Sequence, residues 1–152
     1  MIYWFTGQPG HGKTVLAKAL KEYLITNKFN KGEIFHVDGD DLRELTENKD
    51  YSRTGRENNI RRAQEISHYL NNKGYDVVVS LVAPYEEIRQ NFKDRLEGQV
   101  KEFYVHTTEI RGRENFHSDE YVKPKKDFLS IDTTNTPVEQ SLREIINYIN
   151  LN

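Results

Sequence analysis

The sequence contains no cysteine, which excludes a disulfide framework and any thiolate metal site. Four prolines and nine glycines are spread over 152 residues. No linker, repeat or low-complexity stretch interrupts them, and the length suits one domain spanning residues 1–152. No apolar run nears the roughly 20 residues of a membrane span. The formal net charge is −2, so neither a nucleic-acid surface nor a membrane partner is expected. A local basic cluster at Arg53, Arg56, Arg61 and Arg62 reads as a solvated helix face. The apolar segment at Ile2-Tyr3-Trp4-Phe5 leaves no room for a signal peptide ahead of it. Together with the missing cysteines, this leads to the expectation of a cytoplasmic protein.

What is present is alternation. Aromatic and β-branched runs at 3–6, 33–37, 76–82, 102–106 and 128–131 predict five short strands. The run Val77-Val78-Val79 lacks polar alternation, as in a strand covered on both faces. Helices are predicted between the strands, over 13–26, 59–72, 85–96 and 138–149. Leu16, Leu20, Tyr23 and Leu24 form one helical stripe, and Ile60, Ala63, Ile66 and Leu70 another. Lys73-Gly74 marks a helix end, and Pro137 a helix start. Strands alternating with helices imply βαβ units, a parallel sheet and helices on both faces. The segment 107–126 has no periodicity, and loops of that length usually act as lids or binding loops.

The most specific signal is Gly7-Gln8-Pro9-Gly10-His11-Gly12-Lys13-Thr14, which fits G-x-x-x-x-G-K-[ST]. It follows a predicted strand and opens a predicted helix, the context the motif requires. The glycines let backbone N–H groups turn inward around phosphate oxygens. A following helix N-terminus adds a field that favours anions. Lys13 is expected to reach the β- and γ-phosphates of ATP, and the Thr14 hydroxyl to ligate Mg²⁺. The expected architecture is the three-layer α/β P-loop NTPase fold on a five-stranded parallel sheet.

Asp38-Gly39-Asp40-Asp41-Leu42-Arg43 follows the second predicted strand. Ligands of open α/β sheets bind outside the carboxyl ends of the strands. Asp38 and Asp40 should therefore lie beside the cradle. Asp40 suits deprotonation of an acceptor hydroxyl, and Asp38 suits a Mg²⁺ site reached through water. Arg43 could clamp an anionic acceptor. An acidic turn capping a helix is the plainer alternative.

At these residues the chain resembles the adenylyl-sulfate kinase family. Trp4-Phe5-Thr6-Gly7 leads into the cradle as in that family. Asp38 to Arg43 matches its D-G-D-N-x-R block, with Asp41 where Asn is usual. Tyr51 to Arg62 matches F-S-x-x-D-R-x-E-N-I-R-R, with Tyr51, Gly55 and Asn58 replacing Phe, Asp and Glu. Ser80-Leu81-Val82-Ala83-Pro84-Tyr85 matches S-F-I-S-P-Y. The family's long R-D-x-K-G-L-Y lid segment is absent, so a shorter lid is expected between His106 and Lys126.

The resemblance implies phosphoryl transfer from ATP to the 3′-hydroxyl of adenosine 5′-phosphosulfate. It implies that Arg43, Arg56 and Asn59 hold the phosphosulfate, and that Tyr51 and Phe116 stack on the acceptor adenine. Ser80 and Ile60 complete the acceptor set, although Ile60 also suits the core. Arg111 could replace a lost lid cation beside the nucleotide, as could Arg113. A homodimer is open. Two other readings stay open: a P-loop kinase for another small hydroxyl acceptor, such as a nucleoside, nucleotide or sugar acid, and a nucleotide-binding module without turnover.

Overall fold

A computed structural model describes residues 1–27 and 33–151. The elements run β1 (Ile2–Thr6), α1 (Lys13–Asn27), β2 (Ile34–Asp38), α2 (Gly39–Leu45), α3 (Arg53–Asn72), β3 (Asp76–Ser80), α4 (Glu86–Arg95), β4 (Val100–His106), β5 (Phe128–Asp132) and α5 (Val138–Leu151). All four strand pairings are parallel, in the order β2-β3-β1-β4-β5. Every residue of the central strand β1 is buried.

Side-chain alternation along the strands builds two cores. Ile2, Trp4, Val77 and Val79 pack with Ile60, Ala63, Ile88 and Phe92 on one face. Tyr3, Phe5, Val78 and Phe103 pack with Leu16, Leu20 and Ile145 on the other. Sequence neighbours thus serve opposite layers, the three-layer arrangement the valine run implied.

Several boundaries differ from expectation in ways that shape the site. β3 ends at Ser80 and does not continue to Val82. Ala83 takes a positive φ of 43°, which turns the chain off the sheet. The 59–72 helix begins six residues earlier, at Arg53, because the Ser52 side chain accepts from the Gly55 amide. Residues 39–45, where the sequence predicts no helix, form the short helix α2; the Asp38 carboxylate caps it, the capping role left open as the plainer alternative for that run. Gly74 ends α3 with φ 92°, as the Lys73-Gly74 pair predicted. The segment 107–126 carries only a 3₁₀ turn at Glu114–Phe116. Among the described residues, no helix is long and apolar enough to cross a membrane.

Candidate active site

The carboxyl ends of β1, β2 and β3 open into a cleft of about 630 Å³. Its floor holds Gly10, Gly12, Lys13 and Thr14 from the loop after β1 and the start of α1. Asp38, Asp40 and Arg43 enter from the β2–α2 junction, Asn59 and Ile60 from α3, and Ser80 from β3. Tyr51 and Arg56 form one wall, and Arg113, Asn115, Phe116 and His117 form the roof. Residues far apart in sequence converge there because parallel strands deliver all their C-termini to one edge.

The cradle requires glycine. A Cβ on Gly7 would lie 2.1 Å from the Val105 carbonyl oxygen, so the loop can pass β4 only without a side chain. Lys13 is buried, and its ammonium donates to the Gln8 carbonyl at 2.8 Å. Burial pushes Lys13 down to about 8, with Asp40 and Asp38 favouring its charge and Arg113 opposing it. The Gln8 side chain faces away from the cleft and pairs with Ser118 through both its amide atoms at 2.9 Å.

His11 also lies outside the cleft lining. Burial, with His117, Lys13 and Arg111 nearby, pulls its imidazole down to about 4, so it is neutral near pH 7. It meets His117 edge-on with ring centroids 5.1 Å apart. The side chain supplies no charge to a phosphate there, and only its backbone belongs to the cradle.

Asp38 gathers the polar floor. Its carboxylate accepts from the Thr14 hydroxyl at 3.0 Å, the Ser80 hydroxyl at 2.6 Å and the Asp40 amide at 3.0 Å. Burial alone would raise its pKa, but those hydrogen bonds outweigh burial and hold it below the usual value. Thr14 and Asp38 are hard oxygen donors, the chemistry Mg²⁺ takes. Among the described residues no group of three or more His, Cys, Asp or Glu forms a metal cage. A divalent cation would therefore rest on Thr14, phosphate oxygens and water, with Asp38 behind. That donor set fits Mg²⁺, which keeps much of its water.

The acceptor wall is held by its own arginines. The Arg43 guanidinium lies 4.1 Å over the Tyr51 ring and donates to the Asn48 and Asp50 carbonyls. Arg56 Nε donates to the Tyr51 carbonyl at 2.9 Å. Tyr51 and Phe116 are both strongly exposed, at 63% and 67%, and both face the cleft. Asn59 spends its Nδ2 on the Gly39 carbonyl at 3.1 Å, which ties α3 to the start of α2. Its Oδ1 is buried and without a hydrogen-bond partner among the described residues. Ile60 is 2% exposed and belongs chiefly to the core, touching the cleft at its edge.

On the roof, Arg111 lies outside the cleft lining. It is held by Glu109 at 2.6 Å and the Thr133 carbonyl at 2.9 Å. Arg113 lines the cleft instead, its Cβ 3.2 Å from where a Gly10 Cβ would sit. Only Gly112 separates the two arginines; the sequence reading puts Arg111 at the phosphates, whereas Arg113 is the one that lines the cleft, and without periodicity in 107–126 no pattern distinguishes them. Asn115 and His117 were missed for the same reason.

Comparison with known proteins agrees with this geometry. The sequence profile of the adenylylsulphate kinase family matches residues 1–129. A probable adenylyl-sulfate kinase of Halalkalibacterium halodurans is 33% identical over 95% of this chain and 78% of its own. The structure of the Mycobacterium tuberculosis APS kinase in complex with AMPPNP and APS superposes with a TM-score of 0.81 at 20% identity, covering 98% of this chain and 96% of that one. A gluconokinase from Sinorhizobium meliloti shares the fold more distantly, with a TM-score of 0.65 at 16% identity over 93% of this chain and 87% of its own. The family's motifs, in order and joined in one cleft, together with the profile across most of the sequence, place this chain in the adenylylsulphate kinase family.

Proposed function

We propose that this protein transfers the γ-phosphoryl group of ATP to the 3′-hydroxyl of adenosine 5′-phosphosulfate, giving ADP and 3′-phosphoadenosine 5′-phosphosulfate. The observation that carries the reading is the single cleft: the phosphate cradle, Asp40 and two exposed aromatic rings face one volume. A nucleotide-binding module without turnover has no need of a second, aromatic-lined half.

In this reading the loop amides and Lys13 bind the donor phosphates, and Lys13 meets the charge that develops on the transferring group. The Thr14 hydroxyl donates a hydrogen bond to the Asp38 carboxylate, which leaves its oxygen lone pairs free for a cation. Mg²⁺, when bound, would neutralise charge on the β- and γ-phosphate oxygens. Asp40 orients the acceptor hydroxyl and takes its proton as the O–P bond forms and the bond to ADP breaks. Arg43 and Arg56 face the phosphosulfate with forked N–H donors. Tyr51 and Phe116 stack on the acceptor adenine.

The fold alone does not choose the acceptor, since P-loop kinases serve many. A coupled assay for ADP release, run with adenosine 5′-phosphosulfate, AMP, a nucleoside and gluconate at fixed ATP and Mg²⁺, tests the choice. Turnover only with the phosphosulfate is expected. Faster turnover with gluconate or a nucleoside would replace the acceptor, and ATP binding without any turnover would replace the enzyme reading.

A further inference from the structure

Behind the Thr14–Asp38 pair lies a residue that neither the motifs nor the proposed chemistry uses. His36 and Asp38 are two apart on β2, so their side chains share one face. Ser80 stands directly opposite Asp38 on β3, and His36 stands opposite Val78. His36 is therefore the diagonal neighbour of Ser80, within cross-strand reach. Its Nε2 lies 2.8 Å from the Ser80 hydroxyl oxygen, and that hydroxyl lies 2.6 Å from Asp38 Oδ2. His36 is itself half-buried, with its side chain 12% exposed.

The direction of this chain follows from counting protons. Ser80 has one hydroxyl proton. At 2.6 Å from an ionised carboxylate, which can only accept, Ser80 must donate to Asp38. The His36–Ser80 contact can then be a hydrogen bond only if His36 Nε2 carries hydrogen and donates. Two of the hydrogen bonds on Asp38, from Ser80 and Thr14, meet at the same oxygen, Oδ2. A Ser80 free to rotate could donate to other acceptors and leave Oδ2 to swing toward Lys13 or solvent. A Ser80 that receives from His36 has its lone pair occupied and its proton aimed.

We propose that His36 is a positioning residue for the cation site: by donating to Ser80 it fixes the hydroxyl that fixes Asp38, and through Asp38 the Thr14 hydroxyl. The proposal rests on the reading that Thr14 and Asp38 back a divalent cation. Partners that orient metal ligands from behind typically govern about 10–100-fold in metal affinity. Here one more bond intervenes, so the low end applies.

The test uses Mn²⁺ in place of Mg²⁺, titrated by electron paramagnetic resonance into the protein saturated with a non-hydrolysable ATP analogue. His36→Leu is expected to weaken Mn²⁺ about tenfold, with nucleotide affinity in the absence of metal unchanged. His36→Gln, whose amide N–H sits near the position of Nε2, is expected to stay within about threefold of the parent. Asp38→Ala is the reference and must lose Mn²⁺ affinity. If Asp38→Ala binds Mn²⁺ as the parent does, the cation reading itself fails. If Asp38→Ala weakens binding and His36→Leu does not, or if His36→Gln is no better than His36→Leu, the proposal alone fails. His36→Phe stands in should His36→Leu not fold. Failure of both apolar variants to fold would make His36 a structural residue and overturn the proposal.

Discussion

The floor and the roof of the cleft are built by different means. The floor consists of strand ends and a glycine loop, fixed by the sheet and by short hydrogen bonds onto Asp38. The roof is 107–126, and its own two halves differ again. From Ser118 onward it is tied to the core. Arg89 donates to the Val122 carbonyl, Lys93 to the Lys126 carbonyl, and the Tyr121 hydroxyl meets Thr6 at 3.0 Å. Both cations pair with Glu102, which is only 2% exposed. The front half, with Ile110 89% exposed, is held by its own Glu109–Arg111 ion pair and by hydrogen bonds with the loop after β5, from Arg111 to the Thr133 carbonyl and from the Asn135 amide to Glu109. A half-buried surface ion pair of that kind holds less than the fully buried pairs on Glu102. Under the proposed function the difference divides the labour: the floor would carry the chemistry, the rear roof would be a fixed abutment, and the front roof would be the part free to adapt to substrate.

The sharpest break of that comparison is on the floor. Asp40→Asn keeps the shape of the side chain but cannot take a proton. Removing a positioned base typically costs about 10²–10⁴-fold, so kcat should fall by that much while ATP affinity holds. A loss below about threefold in steady-state kinetics would move the base elsewhere, with Asp38 the next candidate.

The two roof halves can be separated by stability. Glu102→Gln leaves Arg89 and Lys93 buried without their carboxylate. Breaking a buried ion pair from one side costs about 3–5 kcal/mol, so urea unfolding should shift strongly to lower denaturant. Glu109→Gln, in the front half, should leave the unfolding midpoint where it is. Equal shifts would erase the distinction between the halves.

The acceptor wall should answer more mildly. Stacking a base on an aromatic ring is worth about 1–3 kcal/mol by alanine substitution in single-strand binders. Tyr51→Ala should raise the acceptor KM accordingly and spare ATP, while Tyr51→Phe should be nearly silent. Equal losses for both nucleotides would take Tyr51 out of the acceptor site.

Two smaller effects distinguish phosphate from base recognition. Lys13 has its pKa lowered to about 8 in the free protein, and bound phosphates must raise it, because anions favour the ammonium. ATP binding should therefore take up protons near pH 8, and affinity should fall as pH rises above 8. Calorimetry in two buffers of different ionisation enthalpy reads the proton uptake; none, or proton release, would reject the assignment. On the expectation of a shorter lid, the front roof should read the donor base loosely, so ATP and GTP should differ by less than tenfold in kcat/KM, under about 1.4 kcal/mol. A preference above a hundredfold would mean that 107–126 rebuilds the base pocket.

Much of the floor was legible because its residues carry a fixed spacing. Gly7 to Thr14 and Asp38 to Arg43 announce their chemistry by pattern, and the apolar runs place them at strand ends. The helix α2 escaped because Gly39-Asp40-Asp41 carries turn chemistry, although the Asp38 cap that starts it is a local bond to the amide two residues on, the capping role the pattern left open as the plainer alternative. The first turn of α3 escaped because Gly55 is a poor helix former. Its reason is local: a Cβ there would fall 2.1 Å from the Asp50 carbonyl oxygen. The roof was not legible at residue level. Whether Arg111 or Arg113 faces the cleft is decided by the Glu109 and Thr133 contacts, which no local pattern encodes. The His36–Ser80–Asp38 chain had one available signal, the i, i+2 spacing of His36 and Asp38 on a strand, but Ser80 joins it only through the register of β2 and β3.

The central claim is that floor and roof together move one phosphoryl group between two defined atoms. Phosphorus-31 NMR of the protein with ATP, Mg²⁺ and adenosine 5′-phosphosulfate tests it directly. The account predicts a new 3′-phosphomonoester resonance that grows in step with ADP and is abolished in folded Lys13→Ala protein. Inorganic phosphate growing in its place, or an unchanged rate in Lys13→Ala, would contradict it.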